Sequence, residues 1–251
     1  MAAEVRIIGL HGLPDIKPGA DLVAVILEAA QSQGVTLTDD DVLVVTQKIV
    51  SKAEDRLVDL RMVTPSAFAR QVAKAQEKDP RVLEVVLRET KRVVKMDQRT
   101  LIAETHHGFV CAHAGVDESN VAGEDTVALL PVDADASARR LREGIRVKTG
   151  VELAVIIADT FGRPWREGLV NVAIGVAGIE PLKDYRGLPD TEGRVLKVTT
   201  LAIADELASA AELVMGKLDK VPVAVIKGYA YTRGAGSATQ LVRKPEKDLF
   251  R

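Results

Sequence analysis

Three segments of the sequence concentrate residues that could do chemistry. The first is Ala114-Gly-Val-Asp-Glu-Ser-Asn120, where a glycine, two acids and an amide follow an apolar stretch. Asp117 is a hard anionic donor suited to Mg²⁺ or Mn²⁺, and Asn120 can both donate to and accept from a base or a sugar. The same composition also suits an Asx-rich turn that satisfies its own backbone. The second is Asp159-Thr-Phe-Gly-Arg-Pro-Trp-Arg166, directly after the apolar run LAVIIA. It reads as a loop in which Asp159 and Thr160 offer oxygen ligands. Arg163 and Arg166 could hold phosphate or carboxylate through bidentate hydrogen bonds, and a structural salt bridge is the competing role. Trp165, the only tryptophan, reads as a packing anchor under that loop. The third is Thr46-Gln-Lys-Ile-Val-Ser-Lys52, with Lys48 and Lys52 four apart at what reads as the end of a strand. They are either point charges for phosphate or solvated lysines that blunt a sheet edge. If the junctions bearing Asp117 and Asp159 meet, they form an acidic pair able to hold one or two divalent ions.

These segments need elements to position them. Residues 5–9 read as a short strand, and 19–33 as a helix with Leu22, Ile26, Leu27 and Ala30 on one stripe and Gly34 closing it. The β-branched run 41–50 reads as a buried strand. Thr64-Pro65 reads as a helix start with Thr64 as N-cap, followed by helices at 66–78 and 80–90 and a hairpin of 92–95 with 100–105. Further on come a helix at 134–148, strands at 151–158 and 171–177, a long helix at 196–214 closed by Gly216, and a strand at 221–226. A glycine-rich, basic tail follows, from Lys227 to Ser237. Strands and helices mix without strict βαβ alternation, which predicts an α+β fold. There is no GxxxxGK[ST] phosphate loop (Walker A) and no GxGxxG dinucleotide (Rossmann) fingerprint, so a bound nucleotide would need another architecture.

Composition narrows the classes. The 251 residues carry 34 Lys+Arg and 36 Asp+Glu, a formal charge of −2. Such balance argues against a nucleic-acid protein with a general basic surface, and 3% aromatic residues argue against a base-stacking single-strand binder. One cysteine excludes an intrachain disulfide framework and a CxxC-type zinc site, and suits a reducing, cytoplasmic compartment. The start lacks a signal-peptide pattern. No apolar run approaches the ~18–20 residues of a membrane span. The expectation is a cytoplasmic globular protein acting on small molecules, with no nucleic-acid or membrane partner.

Taken together, five segments carry a resemblance: Gly12-Leu-Pro-Asp-Ile16, Val50-Ser-Lys-Ala-Glu54, Gly115-Val-Asp-Glu-Ser-Asn120, Asp159-Thr-Phe-Gly-Arg-Pro164 and Arg233-Gly-Ala-Gly-Ser237. In this order, over nearly the whole chain, they resemble the coenzyme F420-0:L-glutamate ligases, also called F420-0:γ-glutamyl ligases. The resemblance implies a GTP-dependent amide ligase that adds L-glutamate to coenzyme F420-0, forming GDP and phosphate, with further γ-linked glutamate as an option. It implies two divalent ions, Mg²⁺ or Mn²⁺, together with K⁺. It also implies a homodimer of two interleaved α+β lobes with mixed or antiparallel sheets. Residues 1–251 would form a single ligase module, without the nitroreductase-like domain fused to it in some relatives.

Carried over by motif, Asp117 and Asp159 resemble metal ligands, with Thr160 beside the second ion and Arg163 among the catalytic groups. Asn120 resembles a guanine-nucleotide contact. Leu13, Pro14, Asp15 and Ile16 match an N-terminal nucleotide-binding turn, and Gln47, Lys48 and Lys52 a second segment. Met215, Gly216, Lys217, Leu218, Asp219, Lys220, Val221 and Pro222 match a third. Lys52, Arg163 and Arg233 could assist in offsetting phosphate charge. One position departs from the pattern: the family has Gln or Glu after the Met-Gly pair, near the second metal, and this chain has Lys217. A charged ammonium cannot ligate a cation. Either the backbone or a neighbour such as Asp219 substitutes, or the register of the match differs, or the second metal is held differently.

Overall fold

The computed structural model describes residues 4–118 and 125–248. In chain order the strands are β1 (Arg6–Leu10), β2 (Val42–Thr46), β3 (Leu57–Asp59), β4 (Thr90–Met96), β5 (Leu101–Thr105), β6 (Val110–Ala112), β7 (Thr126–Ala128), β8 (Ala154–Arg163), β9 (Arg166–Ala177), β10 (Lys183–Asp184), β11 (Thr200–Leu201) and β12 (Val223–Lys227). The α-helices are α1 (Leu22–Ser32), α2 (Gln47–Ala53), α3 (Ala67–Gln76), α4 (Pro80–Glu89), α5 (Ala134–Thr149) and α6 (Ile203–Met215).

A five-stranded sheet of order β1-β12-β2-β8-β9 forms the centre. β2 and β8 run parallel and the other pairs are antiparallel. Side chains alternate across a strand, so β2 and β8 feed two cores. Leu43, Val45, Val155 and Ile157 face a cluster containing Ile26 of α1 and Ala138, Leu141 and Ile145 of α5. Val42, Val44, Ala154, Ile156 and Ala158 face the other side, against Ala204, Leu207 and Ala211 of α6. Sandwiching between helices explains why both strands read as unbroken apolar runs. Each fully buried Val, Leu or Ile there contributes about 1.5–3 kcal/mol. A separate apolar cluster joins α4, β5 and β7 through Val82, Val85, Val86, Leu101, Ala103 and Val127, and α3 packs onto Leu83 of α4. The fold is α+β with mixed and antiparallel sheets, as the element mixture predicts. Among the described residues no helix is long and apolar enough to cross a membrane.

Five local expectations are corrected. The strand expected over 41–50 ends at Thr46, and Gln47 opens a helix. Ile49 and Val50 stay buried there by helical rather than alternating spacing. Ser66, not Thr64, caps α3 by accepting from the Ala69 N–H, because the helix opens at Ala67 rather than at Pro65. The strand expected over 151–158 runs on to Arg163, so the region read as a loop after LAVIIA is a β-hairpin with β9. Trp165 sits at its tip with φ 60° and is 77% exposed, so it does not anchor the core. The long helix begins at Ile203, since residues 183–201 contribute the small pair β10–β11 instead.

Candidate functional site

Parallel β2 and β8 end side by side, with Thr46 opposite Ala158. The C-terminal ends of parallel strands are a recurrent place for ligands, and the predicted segments collect here. After β2 the chain turns directly into α2, which carries Gln47, Lys48 and Lys52. The Thr46 N–H donates to the Pro222 carbonyl at 2.9 Å, tying the 215–222 segment to this corner. The Gly19 N–H donates to the Ala53 carbonyl at 2.9 Å, and Lys52 Nζ lies 2.8 Å from Asp15 Oδ1, so the 13–16 turn is held against α2. That ion pair lowers the Asp15 carboxyl below its ordinary range, first through its hydrogen bond to Lys52, with a smaller effect from Lys220.

Not every residue in these segments can meet a ligand through its side chain. Pro14, Asp15, Lys217, Leu218, Asp219 and Lys220 are exposed, whereas Ile16, Gln47, Met215 and Val221 are buried. Gln47 accepts from the Ser51 hydroxyl at 2.7 Å, inside α2. These buried side chains set the shape of the wall, as does Leu13, half-buried against the α1–α5 core. At Gly216, with φ 57°, an added Cβ would fall 2.4 Å from Asp219 Oδ2. The turn therefore folds tightly onto itself.

Asp117 enters from another sheet. Its N–H and carbonyl both pair with Ala128, each at 2.9 Å, forming one bridge on the edge of β7 away from β3. Just before it, His113, Ala114 and Gly115 adopt left-handed backbone, with φ of 50°, 53° and 72°. That run turns the chain sharply after β6 and delivers the Asp117 carboxylate to Lys48, Oδ2 to Nζ 2.7 Å. Asn120 lies outside the described residues.

Asp159 comes from β8. A register shift between Ile157 and Ala158 sits just before it, and such irregularities re-aim side chains next to sites. Burial pushes its carboxyl up to about 6; the Thr160 N–H opposes that shift, the Asp117 carboxylate adds to it, and Lys48 and Lys217 oppose it. The two acids and Lys48 therefore lie within electrostatic reach of one another. Strand alternation sends Thr160 to the opposite, α6-facing side. There its hydroxyl donates to Asn171 Oδ1 at 2.7 Å and receives the Lys217 ammonium at 2.6 Å. Asn171 is buried and donates to Glu212 Oε2 at 2.7 Å, while Lys217 Nζ lies 3.0 Å from Glu212 Oε1. Sequence reading missed both Asn171 and Glu212. The one available signal was a polar Asn between valines in a strand otherwise apolar toward its end.

Two predicted cations are placed elsewhere. Arg163 donates to the Gly168 and Glu167 carbonyls and closes the β8–β9 hairpin. Arg233 pairs with Asp40 at 2.7 Å. Asp40 precedes β2, so this pair sits at the opposite end of the parallel strands, where Arg233 lines a separate pocket with Arg139, Arg142 and Gly234. Cys111 is buried, and burial followed by the Asp159 charge pushes its thiol up to about 12. That removes it as a nucleophile near neutral pH.

The donors suit one hard divalent cation. Asp117 and Asp159 supply two carboxylates that repel one another, and Mg²⁺ is commonly held by one or two carboxylates plus substrate phosphates. Among the described residues no group of three or more His, Cys, Asp or Glu side chains gathers as a metal cage. An ion here would thus complete its shell from hydroxyl or carbonyl oxygen, water or ligand.

The sequence matches the family described as F420-0:Gamma-glutamyl ligase over residues 12–228. It is 44% identical over 251 residues to the coenzyme F420:L-glutamate ligase of Methanothermobacter thermautotrophicus, covering 98% of this chain and 99% of that protein. Against the proteins of the same name from Methanopyrus kandleri and Methanocaldococcus jannaschii, identity is 46% over 241 residues and 43% over 249. Coverage is 94% of this chain and 93% of the relative in the first case, and 99% and 97% in the second.

Proposed function

Because the chain belongs to the F420-0:gamma-glutamyl ligase family, we propose that it joins L-glutamate to coenzyme F420-0 at the expense of GTP. The observation that carries the site assignment is the gathering of Asp117, Lys48 and Asp159 at the ends of β2 and β8, beside the half-buried Lys52 and the exposed Lys217 and Lys220.

Joining a carboxylate to an amine in water needs an activated acyl group. In this reading the acceptor carboxylate oxygen attacks the γ-phosphorus of GTP, and the bond to the β-phosphate oxygen breaks. GDP leaves and an acyl phosphate forms. The uncharged α-amine of glutamate then attacks the acyl carbon, loses a proton, and phosphate departs with the former carboxylate oxygen. All reactants are anionic, so the chain must gather them against their repulsion. Lys48, Lys52 and Lys220 provide fixed positive charge at the mouth of the site. Lys52 exchanges its contact with Asp15 for phosphate oxygen, and Lys48 moves between the Asp117 carboxylate and phosphate. The 13–16 turn and the 215–222 turn grip the nucleotide from two sides. Asp117 and Asp159 would hold a divalent ion, Mg²⁺ or Mn²⁺, whose charge would offset that of the phosphates and favour the ionised Asp159 carboxyl against its burial. Potassium, a homodimeric assembly and a second, γ-linked glutamate belong to the same proposal.

The test is GDP release measured with and without F420-0 and glutamate, across a panel of nucleoside triphosphates. Release should require GTP and both co-substrates. In folded Asp117→Asn and Asp159→Asn it should fall by at least ~100-fold, the scale of losing one electrostatic stabiliser in a reacting site. Full activity in both variants would remove the assignment.

A further inference from the structure

On the α6-facing side of the hairpin, three oxygen-bearing side chains form one hydrogen-bonded chain. Thr160 gives a hydroxyl, Asn171 an amide oxygen and Glu212 a carboxylate, linked by hydrogen bonds of 2.7 Å from Thr160 to Asn171 and from Asn171 to Glu212. Oxygen donors around a negative charge are what a hard cation seeks. This array already holds a cation that belongs to the protein: the Lys217 ammonium, 2.6 Å from Thr160 Oγ1 and 3.0 Å from Glu212 Oε1. Lys217 arrives there because Gly216 ends α6 with φ 57° and turns the chain back. Its side chain is 58% exposed, so the ammonium is held by these contacts rather than entombed and stays open to solvent.

We propose that Lys217 is the resident second cation of this site, so that the protein takes one exchangeable divalent ion, at Asp117 and Asp159, and uses the ammonium to meet phosphate oxygen beside Thr160. The inference rests on the divalent-ion reading of the Asp117–Asp159 pair. A metal and an ammonium at one set of oxygens repel each other, so both cannot sit there. Lys217 also has no lone pair to offer a metal while charged. An ammonium differs from a divalent ion in having one charge and three N–H donors. It can therefore orient a phosphate oxygen while remaining tethered to Glu212, and it does not depend on the metal concentration. Asn171 and Glu212 act as positioning residues, because they set where the ammonium rests without themselves reaching the nucleotide.

The experiment counts metal. Mn²⁺ bound per chain is measured by electron paramagnetic resonance with a non-hydrolysable GTP analogue, on the full chain and on Lys217→Gln, Lys217→Arg and Asp159→Asn, with circular dichroism reporting the fold. The full chain should bind one Mn²⁺, Lys217→Arg one, and Lys217→Gln two, since an uncharged amide frees the Thr160–Glu212 oxygens and adds a donor. Asp159→Asn should bind none. Two ions in the unsubstituted chain, or one in Lys217→Gln, would overturn the role of Lys217 while leaving the divalent-ion reading in place. No bound Mn²⁺ in the unsubstituted chain would overturn both.

Discussion

Gly115→Ala probes how the chain delivers Asp117. Gly115 has φ 72°, in the left-handed region, and an added Cβ would lie 2.8 Å from both Cδ1 and Cγ of Leu130. Leu130 is 3% exposed and belongs to the core shared with α1 and α5, so it has little room to retreat. The left-handed backbone costs an alanine about 1–2 kcal/mol, and overpacking a core by one methyl costs about 1–3 kcal/mol. The sum is about 2–5 kcal/mol of lost stability. Gly150→Ala isolates the backbone part, because Gly150 has φ 77° and an added Cβ there would meet nothing within 4 Å; it should cost only about 1–2 kcal/mol. Urea unfolding would give both values from midpoint shifts at constant slope. Asp117 lies two residues beyond Gly115, so Gly115→Ala should also weaken Mn²⁺ binding, whereas Gly150→Ala should not. If the two variants matched within about 0.5 kcal/mol, the steric argument at Leu130 would fail. Unchanged Mn²⁺ affinity in Gly115→Ala would refute the claim that this turn aims Asp117.

Three further outcomes are expected. Asn171→Ala removes the acceptor for Thr160 and the donor to Glu212 and should cost about 2–4 kcal/mol in urea unfolding; a loss below about 1 kcal/mol would mean that water replaces both bonds. His113 is half-buried, with Nε2 2.6 Å from Lys78 Nζ. The ammonium must donate there, so the imidazole is neutral with its proton on Nδ1. Burial first, and then the Lys78 charge, lower the imidazole below its ordinary 6.5. The unfolded chain then binds a proton that the folded chain refuses, so this contribution to stability is complete above pH 6.5 and is lost as pH falls toward the lowered folded value. His113→Gln should flatten that slope in unfolding free energies measured across the acid range, and an equal slope in both proteins would contradict the assignment. Finally, with the Cys111 thiol raised to about 12 and buried, a thiol reagent at pH 8 should react only as fast as the chain opens; rapid labelling of the native protein would contradict the packing.

The sequence carried the fold where local pattern and tertiary role agree. Val42–Val45 and Ala154–Ile157 are apolar because the central sheet is covered on both faces, and that reads directly as strand. It failed where a turn has no local signature. Nothing in Thr46-Gln47 marks a strand passing straight into a helix, since the choice depends on Ile49 and Val50 finding a core beneath α2. The hairpin after Asp159 was hidden by Gly162 and Pro164, which look like loop punctuation but serve a strand end and its turn. For the site, the chemistry of Asp117 and Asp159 was legible from residue type, but their meeting was not, because it requires β7 and β8 to be brought together from separate sheets. The partners of Thr160 lie 11 and 57 residues away in sequence, beyond any spacing rule.

The most direct test of the account is the reaction itself. The protein is incubated with coenzyme F420-0, L-glutamate, GTP and Mn²⁺, using F420-0 labelled with ¹⁸O in its acceptor carboxylate, and both products are weighed by mass spectrometry. The account predicts F420 heavier by a glutamyl residue, GDP in equal amount, and one ¹⁸O in the released phosphate. Glutamyl transfer without ¹⁸O in phosphate would contradict the acyl-phosphate route, and no glutamyl product with any nucleoside triphosphate would contradict the proposed function.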